Sequence, residues 1–460
     1  MTQQDNSSLI LGTKPIGKLL AQYAIPAIIA MTASSLYNMA DSIFIGHGVG
    51  SLGISALALT FPIMNLAAAF GSLIGVGAAT LVSVKLGQKD YNTANKILGN
   101  VLILNILIGI CFSILSLPFL DDILYFFGAS KDTLPYARDY MEIILYGNVI
   151  THMYLGLNAV LRSSGYPKMA MNTTLLSVVI NCALNPIFIF TLDWGIKGAA
   201  WATVISQGIS LIWQIVHFSS PKQLLHFRKG IYKLKKDIVK GIISIGMSPF
   251  LMNICSFLVI ILINRGLKYH GGDMAIGAYG LVNRISALFV MVIMGFTQGM
   301  QPIVGYNFGA RKFDRVTEVT KLTIWWGIGV ATFGFLICQL FPEIIVRVFT
   351  SEQELIEPSV YGLHIIFALF PIVGFQIVAT NFFQSLGMAK KAIFLSLTRQ
   401  LIFLIPCLLI LPPIFGTLGV WISIPIADFA ATILTAILFF NQVKKFKQMS
   451  LNSLYIPENT

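Results

Sequence analysis

The chain predicts an all-α polytopic membrane fold of twelve transmembrane helices, and three observations carry that reading. The 460 residues are 56% hydrophobic and only 11% charged, with a mean hydropathy of +0.79, a balance no soluble domain of this length sustains. Apolar runs recur along the chain, centred near residues 32, 66, 108, 147, 181, 208, 255, 290, 330, 371, 402 and 429. In hydrocarbon such runs must be helices, because a helix satisfies its own backbone polar groups. Finally, placing alternate connections on opposite sides puts 23 of the 31 Lys and Arg on one side and six on the other. The positive-inside rule then makes both termini cytoplasmic. The net charge of +12 is therefore a topology signal, and no nucleic-acid partner is implied.

Residues 1–18 are polar and lack a cleavable signal pattern, so the first apolar run, from Leu19, is kept as a span. Near its external end lie Ser34, Tyr37, Asn38 and Asp41, spaced to share one helical face. Asp41 is one of two carboxylates placed well inside a span, and an ionisable residue there is a functional hypothesis by default. The alternative is an acid that simply reaches the headgroups from the helix end. Pro26 lies fifteen residues earlier, about 22 Å along a straight helix, and is the candidate hinge; a static kink is the alternative reading. The following loop carries Gly48-Val49-Gly50-Ser51-Leu52-Gly53, which fits a dinucleotide fingerprint. It follows a membrane helix and no strand, and is rejected.

Gly71, Gly75 and Gly77 in span two predict close helix packing. Span five places Asn181 and Asn185 one turn apart, with Pro186 directly after, and Thr203 begins span six. These residues form a candidate polar network around Asp41, or else ordinary interhelical hydrogen bonds. The five cysteines all lie in apolar runs without paired spacing and read as packing residues. No Walker A, zinc-protease or nucleophile-elbow pattern is present, so neither an enzyme nor a cofactor is expected.

The chain repeats. Leu86-Gly87-Gln88-Lys89 matches Phe308-Gly309-Ala310-Arg311 at an offset of 222, and Gly165 and Lys168 match Gly387 and Lys390 at the same offset. An even number of spans per copy gives both copies one orientation, related by a pseudo-two-fold axis along the membrane normal. The expected organisation is an N-lobe of six spans over 1–218, a basic cytoplasmic linker over 219–240, a C-lobe of six spans over 241–445, and a tail over 446–460. The offset carries Asp41 onto Ile263 or Asn264, so only the first lobe has a carboxylate there. The second lobe has its own buried charges. Arg399 in span eleven and Asp428 in span twelve reach a similar depth and are expected to pair, with Gln384 and Gln400 extending the network.

Asn38-Met39-Ala40-Asp41-Ser42-Ile43-Phe44-Ile45-Gly46, Leu161-Arg162-Ser163-Ser164-Gly165-Tyr166-Pro167-Lys168 and Asn181-Cys182-Ala183-Leu184-Asn185-Pro186 resemble multidrug and toxic compound extrusion (MATE) transporters over nearly the whole chain. The chain looks closer to the branch that includes the DNA-damage-inducible MATE proteins. The resemblance implies two lobes around a V-shaped central cavity in a bacterial cytoplasmic membrane. It implies export of cationic or amphipathic organic compounds, in exchange for protons or sodium, by a chain expected to act as a monomer. It also implies that Asp41 binds the coupling ion, with Tyr37, Asn181 and Thr203 as polar neighbours. Asn185 departs from the pattern, since many similar bacterial members carry Asp before that proline. Span seven departs too, since Pro249 to Phe257 lacks the Glu of the sodium-coupled branch.

A lipid-linked saccharide flippase of the same superfamily is the alternative, although such proteins tend to have more spans and a basic cavity. For the coupling ion, the proton is favoured: burial disfavours a charged carboxylate, and Asn38, Asn181 and Asn185 bring no positive charge to offset that. Sodium stays open as the alternative, held by Asp41, Asn181 and Asn185, with Thr203 adding another oxygen.

Overall fold

The computed structural model describes residues 10–350 and 352–454, and these form helices joined by turns and short irregular stretches, without a strand. In chain order the helices are α1 (Ile16–Gly48), α2 (Ser51–Gly87), α3 (Tyr91–Ser116), α4 (Leu120–Phe126), α5 (Leu134–Tyr146), α6 (Asn148–Ser163), α7 (Pro167–Pro186) and α8 (Gly195–Ser219). There follow α9 (Lys236–Gly309), α10 (Phe313–Leu340), α11 (Pro342–Phe349), α12 (Gln353–Phe367), α13 (Phe370–Ser385), α14 (Ala389–Leu397), α15 (Ile405–Phe415) and α16 (Thr417–Leu454). Two π-helical segments interrupt this series, Ile187–Thr191 after α7 and Thr398–Leu404 between α14 and α15.

Nine helices among the described residues are long and apolar enough to cross a membrane. Two further spans are bent pairs, α5 with α6 and α12 with α13, each broken by 55°. The 74 residues of α9 would run about 110 Å if straight, far beyond a hydrocarbon core of about 30 Å. They turn at Gly272, whose φ of 70° and ψ of −164° are open to glycine, so α9 crosses twice. The count is twelve, as expected. Large apolar side chains on the outside, among them Leu36, Phe61, Leu115 and Trp325, would be a liability in water and suit contact with lipid tails.

The repeat read from sequence is written into the backbone. Left-handed residues recur at the offset of 222: Lys89 with Arg311 (φ 60° and 56°), Gly165 with Gly387 (106° and 72°), and Gly50 with Gly272 (86° and 70°). Each copy therefore turns its chain at the same places. Gly48 to Gly53 proves to be the turn from α1 into α2.

The chain forms two compact units. Ile29–Phe250 make up the body of one; Lys14–Ile28 and the described residues from Leu251 onward make up the other. The first half of α1 thus belongs with the second unit, and the first part of α9 with the first. Glycines explain both assignments. In the first unit a Cβ on Gly77 would strike the backbone of Ile242, and one on Gly246 the backbone of Leu73. In the second, a Cβ on Gly299 would strike the backbone of Ala24, and one on Gly295 would strike Ile28. Only glycine lets the helix axes come so close. Gly71 and Gly75 face Leu155 and Gly156 of α6, where an added Cβ would meet only ordinary van der Waals contact, so the close packing expected of span two rests on Gly77.

The basic stretch after α8 is held in the first unit by two asparagines of α3. Asn95 donates to Leu224 O (3.2 Å) and accepts from the His226 amide (3.0 Å). Asn100 donates to Lys233 O (3.1 Å) and accepts from the Lys235 amide (3.0 Å). Each side-chain amide thereby closes a pair of backbone groups that helical structure leaves open.

The glycine contacts predict that Gly77→Ala and Gly299→Ala each destabilise the protein by about 1–3 kcal/mol through overpacking. Gly329→Ala, with open space around the added methyl, is expected to be neutral or to stabilise by about 0.5–1 kcal/mol. Thermal melts of the three purified variants check this.

Candidate functional site

Asp41 sits on α1 fifteen residues past Pro26, in a helix that stays continuous from Ile16 to Gly48. Only 6% of it is exposed. Asn185 Nδ2, from the last turn of α7, donates to Asp41 Oδ1 at 2.8 Å. The same amide donates to Asn181 Oδ1, one turn earlier, also at 2.8 Å. Asn181 Nδ2 in turn donates to Thr203 Oγ1 of α8 (3.3 Å). The Thr203 hydroxyl spends its hydrogen on Ala199 O (3.1 Å), so the Tyr37 hydroxyl, 2.9 Å away, must donate to it. Tyr37, Thr203, Asn181, Asn185 and Asp41 are thus joined in one hydrogen-bonded group, with Thr203 accepting from Tyr37 and Asn181, and Asn185 donating to both Asn181 and Asp41.

Packing holds that group in place. Ile45, one turn beyond Asp41, is fully buried in an apolar cluster with Met141, Leu145, Ile189 and Val204. Pro186 ends α7 directly after Asn185, and the π-helical turn Ile187–Thr191 follows it. One acceptor is left over: Asn185 Oδ1 is buried and has no partner, at a site where nearly all polar atoms are expected to find one.

Of the predicted residues, Tyr37, Asp41, Asn181, Asn185 and Thr203 come together. Asn38 does not. Its side chain is exposed, and its recorded bond is made by its backbone oxygen, which accepts from Ser42. Asn38 and Tyr37 flank Asp41 on opposite sides of the helix, and it is the Tyr37 side that meets Thr203 of α8. The sequence reading missed Tyr140 of α5, which is buried within electrostatic reach of Asp41, Tyr37 and Thr203. Nothing in the sequence singles it out, since α5 also carries Arg138, Asp139 and Glu142, and the 55° break after α5 hides its facing.

In the second unit Arg399 Nε donates to Asp428 Oδ1 at 2.6 Å, the expected pair. Gln400 lies beside them and donates to Ser256 Oγ (3.3 Å). Gln384 stays apart, a correction to the expected network. It lies eleven residues beyond Val373, the last α13 residue lining the pair's cavity, and that is about 16 Å along the helix. No group of three or more His, Cys, Asp or Glu that could hold a metal occurs among the described residues.

Twelve helical spans in a tandem repeat, with an isolated carboxylate buried in one copy, define a polytopic membrane transporter. The sequence model of the MatE family matches residues 26–187 and 245–409, one stretch in each repeat, and the chain belongs to that family. It is 30% identical over 418 residues to multidrug export protein MepA of Staphylococcus aureus strain MSSA476, spanning 90% of this chain and 91% of that one. It is 29% identical over 430 residues to MepA of Staphylococcus haemolyticus, spanning 93% and 94%. Among solved structures, the MATE multidrug transporter DinF-BH, determined as a complex, is 38% identical, with a TM-score of 0.87 over 96% of this chain and 98% of that one. A MATE crystal structure in the bent conformation superposes with a TM-score of 0.91 at 23% identity, covering 97% and 99%. That likeness speaks for the fold, two lobes of six helices.

The Arg399–Asp428 bond generates a prediction. Removing either partner leaves a charge unpaired in the membrane and is expected to cost about 3 kcal/mol or more, whereas Arg399→Gln with Asp428→Asn recovers part of the loss. Strict additivity in a double-mutant cycle of thermal stabilities would show that the bond is not formed.

Proposed function

We propose that this protein exports small organic cations and amphipathic drugs from a bacterial cell in exchange for protons, and that Asp41 is the group both ligands compete for. Both termini are cytoplasmic in this reading, as the distribution of basic residues requires. The observation that carries it is a carboxylate 6% exposed, inside an apolar span, whose hydrogen-bonding neighbour is the neutral amide of Asn185. The names borne by the relatives, multidrug export protein and multidrug transporter, support the substrate class.

Ionised, Asp41 accepts from Asn185 and still carries a bare negative charge in a low-dielectric setting, which a cationic drug can neutralise. Protonated, it loses that attraction and becomes a donor in need of an acceptor. Asn185 Oδ1 is buried and unpartnered on the same amide. Turning that amide lets Asp41 donate to it, and takes Asn185 Nδ2 off Asn181. A proton therefore rewrites the hydrogen-bond chain that ties α1 to α7 and α8, and α1 can bend about Pro26. Proton and drug never share the charge, and that exclusion is the exchange.

Sodium is the second reading, favoured by the same atom. Asp41 and Asn185 Oδ1 offer a hard cation oxygen ligands, while the remaining oxygens of Asn181 and Thr203 are already taken by donors.

Reconstitution into proteoliposomes tests both. Asp41→Asn is expected to insert and melt like the wild type and to lose gradient-driven drug efflux entirely; efflux at the wild-type rate would remove Asp41 from the mechanism. With the parent protein, an imposed pH gradient alone should drive efflux. Sodium-driven efflux without a pH gradient, insensitive to protonophore, would instead establish the sodium reading.

A further inference from the structure

The second unit holds a cavity of about 280 Å³ around the Arg399–Asp428 pair, and the repeat gives it a meaning. Shifted by 222 residues, Tyr37, Asn38 and Asp41 fall on Val259, Ile260 and Ile263, and all three line this cavity. Ser177 and Ser206, hydrogen-bonded at 3.4 Å in the first unit, fall on Arg399 and Asp428. The cavity is thus the counterpart of the Asp41 face with its chemistry inverted. The carboxylate wall has become aliphatic, and a weak hydroxyl contact has become an ion pair.

A pair kept only for stability would have its remaining hydrogen-bonding groups satisfied, and these are not. One of the five guanidinium donors of Arg399 is spent on Asp428; the others have no hydrogen-bond partner among the described residues. Gln400 is 6% exposed, yet its Oε1 is buried without a partner, and so is Ser286 Oγ. Both residues line the cavity. Arg399 and Gln400 also sit on the π-helical segment Thr398–Leu404, a distortion frequent at functional sites. The site offers unused donors at Arg399 and unused acceptors at Gln400 and Ser286, over a net charge of zero.

We infer that this cavity is a second ligand site, built for a small zwitterion: a molecule with a carboxylate for Arg399, an ammonium for Asp428 and Gln400, and an apolar body for Val259, Ile263 and Phe370. A simple cation meets Arg399 there, and a simple anion meets Asp428; each adds an uncompensated charge to a neutral site. Pockets for drug-sized ligands run from about 300 to 1,000 Å³, so the occupant is closer to an amino acid in size. The site needs no coupling ion and stands independently of the role given to Asp41.

Isothermal titration of the purified full-length protein with three matched probes tests it: phenylalanine, 2-phenylethylamine and 3-phenylpropanoate. Phenylalanine should bind at least about tenfold more tightly than either singly charged analogue, the difference set by a buried charge-assisted bond. Gln400→Leu and Ser286→Ala leave the ion pair intact and so preserve folding. Each should weaken phenylalanine binding about three- to tenfold, the range of one neutral hydrogen bond. Absence of phenylalanine binding to the wild type, equal or tighter binding of either analogue, or indifference to both substitutions would overturn the site.

Discussion

The bond from Asn185 to Asp41 is the interaction on which the first unit is organised. A carboxylate inside an apolar span is costly unless something compensates it, and here one neutral amide donates at 2.8 Å. That amide is oriented by Asn181, which is oriented by Thr203, so helices α1, α7 and α8 are joined through polar atoms at one depth. The joint is incomplete: no cation faces the carboxylate within the group, and an acceptor is left idle beside it. A network left one bond short can be redrawn by a single proton or ion, whereas a fully satisfied one only rigidifies.

The two repeats show how one scaffold can carry two chemistries. Left-handed turns at equivalent positions and glycines at equivalent helix crossings keep the backbones alike. Side chains then differ where the faces are polar. The first copy keeps an unpaired acid; the second replaces that acid with Ile263 and introduces Arg399 and Asp428 on other spans. Because backbone geometry rests on glycine and turn chemistry, charge can move between faces without disturbing the fold.

Close packing through glycine also accounts for the exchange of helix segments between the units. Lys14–Ile28 belongs with the second unit because Gly295 and Gly299 admit it, and the first part of α9 belongs with the first unit because Gly77 accepts it. The boundary crosses α1 between Ile28 and Ile29, just beyond Pro26. Proline frees a carbonyl at that turn, so the weakest point of the α1 hydrogen-bond ladder lies where the helix changes its packing partners.

Composition, hydropathy and the offset of 222 were enough to determine twelve spans and two copies, because a bilayer demands long apolar helices whatever their packing; the family resemblance came from the segments around Asp41, Arg162 and Asn185. Helical periodicity likewise put Tyr37 and Asp41 on one stripe and Asn181 and Asn185 on another before any coordinates, with Thr203 placed at a similar depth. Periodicity says which residues share a face but not which face meets which, and that is where tertiary structure decided. Asn38 flanks Asp41 on the side away from Tyr37 and is exposed, Gln384 lay about three turns too far along its helix, and Tyr140 arrived from a span whose 55° break no pattern announces. Nor could the linear chain show that Asn185 Oδ1, Gln400 Oε1 and Ser286 Oγ are left without partners. Satisfaction of a polar atom depends on neighbours brought together across 144 residues for Asp41 and Asn185, and only the packed chain supplies them.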